Sequence, residues 1–294
     1  MDNNYASNVF GTEGKPKAAV FIVHGMQEHR YRYEDFARFL ADHDIAVVTY
    51  DLPGHGETDQ GEDRGWFGEN SGWRNLVMSA VEMAVFTRKQ FPKIPVFLLG
   101  HSMGSMIGRC FLQLHDGLID GIILSGAPVY TPAASAGKTI ASASAVRNGK
   151  KGHSSLLDQL ATGSFNKGIE NPRTPLDWLS YLEENVDRYI ADPDAGFPFT
   201  VQGYKDLFDG MIQMNDLSLY RCNNPELPIY LIAGEDDPCI GGEKGFHYSA
   251  ERLRQAGYKN VGVRMFPGMR HEILQEEDHM LVYNDILAWI KAHI

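Results

Sequence analysis

Three cysteines in a chain of 294 residues, Cys110, Cys222 and Cys239, are odd in number and widely scattered. They cannot close a disulfide framework, none has metal-site spacing, and the set suits a reducing compartment. Long apolar runs are also lacking: none approaches the ~18 residues of a membrane span. The opening Met1-Asp2-Asn3-Asn4 has neither the basic flank nor the apolar core of a signal peptide. A cytoplasmic protein is expected. Positive charge is scarce, with 27 Lys and Arg against 38 Asp and Glu, a formal net charge of -11. That excludes a nucleic-acid groove, which needs clustered cations. The densest basic pair, Lys150-Lys151, reads as an exposed loop. Internal repeats and long low-complexity segments are absent too, although Ala133 to Ala145 is rich in Ala and Ser and is expected to be mobile.

What is present is an ordinary globular composition, 43% hydrophobic and 22% charged, long enough for one large core carrying an insertion. Short apolar runs at 18–23, 45–50, 94–99, 121–124, 228–233 and 261–266 read as buried strands. Helical patterns lie between several of them, so a mostly parallel sheet flanked by helices is expected, an α/β class. Trp73, Leu76, Val77, Ala80, Val81, Ala84 and Val85 form a core-facing helical stripe, as do Met280, Tyr283, Leu287, Ile290 and Ile294 at the end of the chain. The alternation breaks between Val129 and Asp216. Within this insertion, Thr174-Pro175-Leu176-Asp177 reads as a capped helix start continuing through Leu179, Leu182, Val186, Tyr189 and Ile190. A second helix is expected at Tyr204, Leu207, Phe208, Met211 and Ile212. Three segments follow: a core in two parts, 1–128 and 217–294, and a lid, 129–216, lying over the carboxyl edge of the sheet where a ligand enters.

Gly100-His101-Ser102-Met103-Gly104 stands where the run Ile94–Leu99 gives way to the helical pattern Met103, Met106, Ile107, Cys110, Phe111 and Leu114. A strand passing directly into a helix needs a strained corner, and glycines on both sides let neighbouring backbone approach. Such a corner pushes the Ser102 hydroxyl outward and leaves the first helical amides free for an anion. A hydroxyl nucleophile needs a base, and the base an acid, arriving after this turn in the order serine, acid, histidine. Glu235, Asp236 and Asp237 lie on the loop after one downstream strand, and His271 on the loop after the next. Both loops open at the same sheet edge as Ser102. His279, the rival histidine, falls on the final helix. An oxyanion hole needs two amides: that of Met103, after the nucleophile, and one from the loop after an early strand, Val23-His24-Gly25-Met26.

These residues resemble the alpha/beta-hydrolases of the monoacylglycerol lipase and lysophospholipase group, classed with serine aminopeptidase-like hydrolases. The resemblance rests on several motifs and runs from about residue 18 to the end. They are His24-Gly25-Met26-Gln27-Glu28-His29 with Arg32-Tyr33, Asp51-Leu52-Pro53-Gly54-His55-Gly56-Glu57-Thr58 with Thr in place of Ser, the pentapeptide around Ser102, Gly234 to Asp237, and His271-Glu272. In the insertion, Asp177-Trp178-Leu179-Ser180, Tyr189 and Asp192-Pro193 look like bacterial lysophospholipase-like members. The resemblance implies an alpha/beta-hydrolase fold with a helical lid and a triad of Ser102, Asp237 and His271. It selects Asp237 among the three acids and Met26 as the second oxyanion donor beside Met103. It implies no cofactor and no metal. The substrate it implies is a small-molecule or lipid ester, with membrane contact limited to transient docking at a surface. Glu28, His29 and Arg32 read as bracing the turn. The opening strand pair of many relatives is expected to be shortened to one strand within Tyr5–Phe10.

Other chemistries fail on residues. His271-Glu272-Ile273-Leu274-Gln275 lacks the second histidine of a zinc motif. Gly137-Lys138-Thr139 has Pro132 where a phosphate loop needs glycine, and Gly54-His55-Gly56 has Asp59 where a dinucleotide fingerprint needs one. A dehalogenase would carry Asp in place of Ser102. The readings carried forward are a lysophospholipase or monoacylglycerol lipase, then a small-ester carboxylesterase, an aminopeptidase, and a binding protein on an inactive hydrolase fold.

Overall fold

The computed structural model describes residues 4–58 and 63–294; Met1 to Asn3, and Asp59 of the failed dinucleotide pattern, lie outside the described residues. Among the described residues seven strands make one sheet: β1 (Ser7–Phe10), β2 (Ala18–Val23), β3 (Ile45–Tyr50), β4 (Val96–His101), β5 (Gly121–Ser125), β6 (Ile229–Gly234) and β7 (Val261–Phe266). Their order is β1-β3-β2-β4-β5-β6-β7. Only the edge pairing β1–β3 is antiparallel; the other five are parallel. This is the mostly parallel, helix-flanked sheet of the alpha/beta-hydrolase fold, with β1 as the expected shortened opening strand. The nucleophile's strand starts two residues later than the apolar run suggests. Pro95 has no amide for the ladder, and only its carbonyl is used, by Ala19 N at 2.9 Å.

Nine helices appear among the described residues: α1 (Glu34–Ala41), α2 (Gly72–Gln90), α3 (Met103–His115), α4 (Ala133–Asn148), α5 (Ser155–Thr162), α6 (Glu183–Ala191), α7 (Val201–Asn215), α8 (Gly242–Gln255) and α9 (His279–Ala292). None is long and apolar enough to cross a membrane. The period of two in the strands splits the core into two layers. Ala19, Phe21, Val23, Val96 and Leu98 face α2, α3 and α8, while Val20, Ile22, Phe97 and Leu99 face α1 and α9. The helical stripes behave accordingly, with Trp73, Leu76, Ala80, Leu287 and Ile290 buried. Their outlying members Val85, Met280 and Ile294 are exposed instead.

Two expectations for the insertion are corrected. Ala133 to Ala145 is helix α4, not a mobile stretch, and its small side chains let it lie close on α7, with Gly137 facing the Phe208 ring. The helix read from Thr174 does not form there. Asp177 does collect the amides of Arg173 and Thr174 and the Thr174 hydroxyl, as a cap would. Only a 3₁₀ turn, Asp177–Leu179, follows, and α6 begins at Glu183. The carbonyls of Asp177 and Ser180 accept from Arg270 (2.7 and 3.2 Å) and that of Leu179 from Glu272 N (2.8 Å), so tertiary partners replace the helical ones. Ile190, placed in the same stripe, is exposed.

Candidate active site

Ser102 lies between the last residue of β4 and the first of α3 with φ 52° and ψ -117°. A non-glycine residue held there stores strain, which the surrounding packing must enforce. Ser102 N donates to Ser125 O on β5 at 2.9 Å, and a Cβ on Gly104 would strike the Val23 carbonyl. The corner is thus wedged between β2 and β5. Met103 N opens the helix and has no carbonyl one turn back to receive it.

His271 and Asp237 converge from β7 and β6 on the same edge. His271 Nδ1 and Asp237 Oδ2 are 2.9 Å apart and both residues are buried. Burial alone would push the imidazole down, but the adjoining Asp237 carboxylate, with Glu272 and Glu28 beyond it, raises His271 above its usual pKa. With Nδ1 engaged, Nε2 is the ring nitrogen not bonded to Asp237. Of the other two acids read from sequence, Glu235 is exposed and Asp236 accepts from Tyr181 Oη at 3.1 Å. Cys239 also comes near, its ligand atom within 4.8 Å of those of Asp237 and His271. Burial first, and then Asp237, push this thiol well up. It is held protonated, and His271 Nδ1 and Asp237 Oδ2 engage each other.

Met26 follows β2, and a buried histidine fixes the peptide that carries its amide. Leu52 N donates to His24 Nε2 at 3.0 Å, so the ring proton sits on Nδ1 and points at Gly25 O, 2.8 Å away. Because the peptide is planar and trans, the Met26 N–H points the opposite way from that carbonyl. Glu28 accepts from Gly25 N and from Tyr33 Oη (2.7 Å). Arg32 joins Glu28 (3.2 Å) to Glu272 (2.7 Å), and Asn185 of α6 also donates to Glu272, at 2.6 Å. Glu28 and Arg32 therefore brace the turn, as read from sequence, and tie it to the residue after His271. His29 instead reaches the insertion, pairing with Asp192 at 2.7 Å. The Gln27 carbonyl is gripped by Tyr189 Oη (2.8 Å) and Gly196 N (2.9 Å), again from the insertion.

Ser102, Met26, Met103 and His271 line one cavity of about 330 Å³. Its remaining wall is largely apolar and comes mostly from the insertion, with Leu160, Phe165, Trp178, Leu207, Phe208 and Met211 prominent. Sequence reasoning missed Trp178, whose ring centroid lies 5.0 Å from that of His271. Its aromatic character was legible, but its approach to His271 depends on a tertiary fold-back. Also missed was His101, 4.7 Å from His271 and pushed down to about 3 by burial and by His271 itself.

Residues 14–278 match the family described as serine aminopeptidase, S33. The chain is 28% identical over 284 residues to a monoglyceride lipase of Homo sapiens, spanning 94% of this chain and 83% of that protein. It is 38% identical over 280 residues to a monoglyceride lipase homolog of Monkeypox virus, spanning 94% and 90%. A highly thermostable carboxyl esterase from Bacillus coagulans shares the structure with a TM-score of 0.90 at 27% identity, over 97% of this chain and 93% of that one.

Proposed function

Because the chain belongs to the serine aminopeptidase S33 family, we propose that it is a carboxylic ester hydrolase acting on monoacylglycerols or lysophospholipids through Ser102, His271 and Asp237. One observation carries the reading: a strained serine corner and a buried His271–Asp237 pair open on the same apolar cavity. Ser102 Oγ attacks the ester carbonyl while His271 Nε2 takes its proton and Asp237 holds the imidazole in the tautomer that can do so. The amides of Met26 and Met103 receive the oxyanion, each worth about 3 kcal/mol of transition-state stabilisation. His271 then returns the proton to the departing alcohol. A water molecule, deprotonated by the same nitrogen, releases the acid from the acyl-enzyme.

Residues 129–216 act in this reading as a lid on a core built from 1–128 and 217–294, supported by their share of the cavity wall. Each acyl methylene buried against that wall contributes about 0.8 kcal/mol. The three free cysteines support work in a reducing cytoplasm, and any membrane contact is transient docking to reach lipid. The likeness to the Bacillus coagulans carboxyl esterase supports a second reading, a carboxylesterase, here one acting on small esters. A chain-length series of p-nitrophenyl esters, run beside an amino-acid anilide, decides between them. Specificity constants should rise towards long chains. A short-chain optimum would favour the carboxylesterase, and anilide preference an aminopeptidase. Ser102→Ala must lose turnover while remaining folded; retained turnover in contaminant-free protein sinks the nucleophile assignment.

A further inference from the structure

We propose that Trp178 is a positioning residue for this reaction: its indole roofs the His271 imidazole, fixing the ring's direction and favouring its protonated form as Ser102 gives up its proton. This rests on His271 being the general base. The two ring centroids are 5.0 Å apart with the planes inclined by 44°, a tilted contact inside the roughly 6 Å reach over which an aromatic ring attracts a cation. Trp178 is 7% exposed and packs against Phe165 at 4.7 Å, while its amide donates to Asn166 Oδ1 at 3.0 Å.

The roof is also fastened to the base it covers. Arg270, immediately before His271, donates to the carbonyls of Asp177 (2.7 Å) and Ser180 (3.2 Å). Glu272, immediately after it, donates its amide to Leu179 O at 2.8 Å. The turn bearing Trp178 is thereby bonded to both chain neighbours of His271, so indole and imidazole are held as one unit.

The charged and titratable groups around that imidazole are few. Asp237 holds Nδ1, Glu272 and Glu28 add further negative charge, and Arg32 pairs with both glutamates. Cys239 stays protonated and His101 neutral. The carboxylates favour the imidazolium, Asp237 from the Nδ1 side. The indole contributes through the tilted ring contact, an attraction that grows only when the proton arrives and therefore acts on the transition state.

The test combines a pH–rate profile with fluorescence. In Trp178→Leu the acid limb of kcat/KM should move down by about 0.4 to 1.5 pH units and kcat fall between about 2- and 30-fold, with Trp178→Phe intermediate. Trp289, whose ring lies 4.4 Å from His293, is first replaced by Phe to remove its signal. Indole emission should then fall as His271 protonates, with a midpoint at the acid limb, and this titration should vanish in Trp178→Phe and in His271→Ala. An acid limb that stays put or moves up in folded Trp178→Leu, or an emission titration that survives in Trp178→Phe, overturns the proposal. Full hydrolysis by His271→Ala would instead overturn the general-base reading. The emission titration needs no turnover, so the two failures are distinguishable.

Discussion

Lowering the pH should unfold this protein early, because three buried histidines near the active site are held neutral. His24 accepts from Leu52 N and donates to Gly25 O, and His55 accepts from Gln27 N at 3.4 Å with Nδ1 3.0 Å from Pro53 O. Burial pushes both below their usual value, and burial with neighbouring His271 takes His101 to about 3. In the unfolded chain each titrates near 6.5. Between the folded and unfolded values the unfolded state binds more protons, so stability is present above about pH 6.5 and is lost as pH falls. At pH 5.5, one unit below, His55 and His101 each cost about 1.4 kcal/mol, about 3 kcal/mol together, and His24 adds to the loss in the same direction. His271 works the other way: its folded value is raised, so its contribution is full below 6.5 and is lost on raising the pH. The net acid loss is thus somewhat smaller, yet still large against a typical 5–15 kcal/mol. Urea unfolding at pH 7.5, 6.5 and 5.5 measures it. His55→Gln, whose amide oxygen can take the Gln27 N–H without titrating, should remove about 1.4 kcal/mol of the loss between pH 7.5 and 5.5. Equal stability at pH 7.5 and 5.5, or an unchanged slope in His55→Gln, would refute the reasoning.

Asp206 carries the opposite prediction. Burial raises its carboxyl to about 6, with one oxygen unpartnered, so its ionised form is penalised and its stabilising proton is lost as pH rises through 6. Asp206→Asn should stabilise the fold by about 1–3 kcal/mol at pH 8 in thermal or urea melts, with the gain gone below pH 4. Arg32→Met leaves Glu28 and Glu272 buried without their cation and should cost about 3–5 kcal/mol. Adding Glu28→Gln and Glu272→Gln should restore much of that stability, which the same melts would report.

The sheet was legible because its five inner strands, β2 to β6, are buried on both faces and read as apolar runs; β2, β3 and also the edge strand β7 have the bounds that their hydrophobicity suggests. The Ser102 corner was legible from its flanking glycines, and Asp237 and His271 from their order and sheet edge. The insertion was not. Thr174 and Asp177 carry a sound local helix signal, but Arg270 and Glu272, more than ninety residues away along the chain, capture the carbonyls a helix would use. Ala133–Ala145 misled in the other direction, since small residues mark a helix packed closely on α7 as readily as a loose segment. Trp178 was visible in sequence as an aromatic residue, but its place over His271 follows from those same long-range bonds.

The Gln27 carbonyl, gripped by Tyr189 and Gly196, divides the insertion mechanically. The stretch from Asp177 to Gly196 is bolted at one end to both neighbours of His271 and at the other to the loop bearing Met26. Lifting it would move His271 and Met26 together, so in the proposed reaction this half serves as a fixed frame for the reacting atoms. In the same reading an acyl chain enters past the other half, where Leu160 of α5 both lines the cavity and is 48% exposed. Chain-length preference should therefore be adjustable around α5 and Phe165 without disturbing the catalytic rate constant of a well-fitting ester.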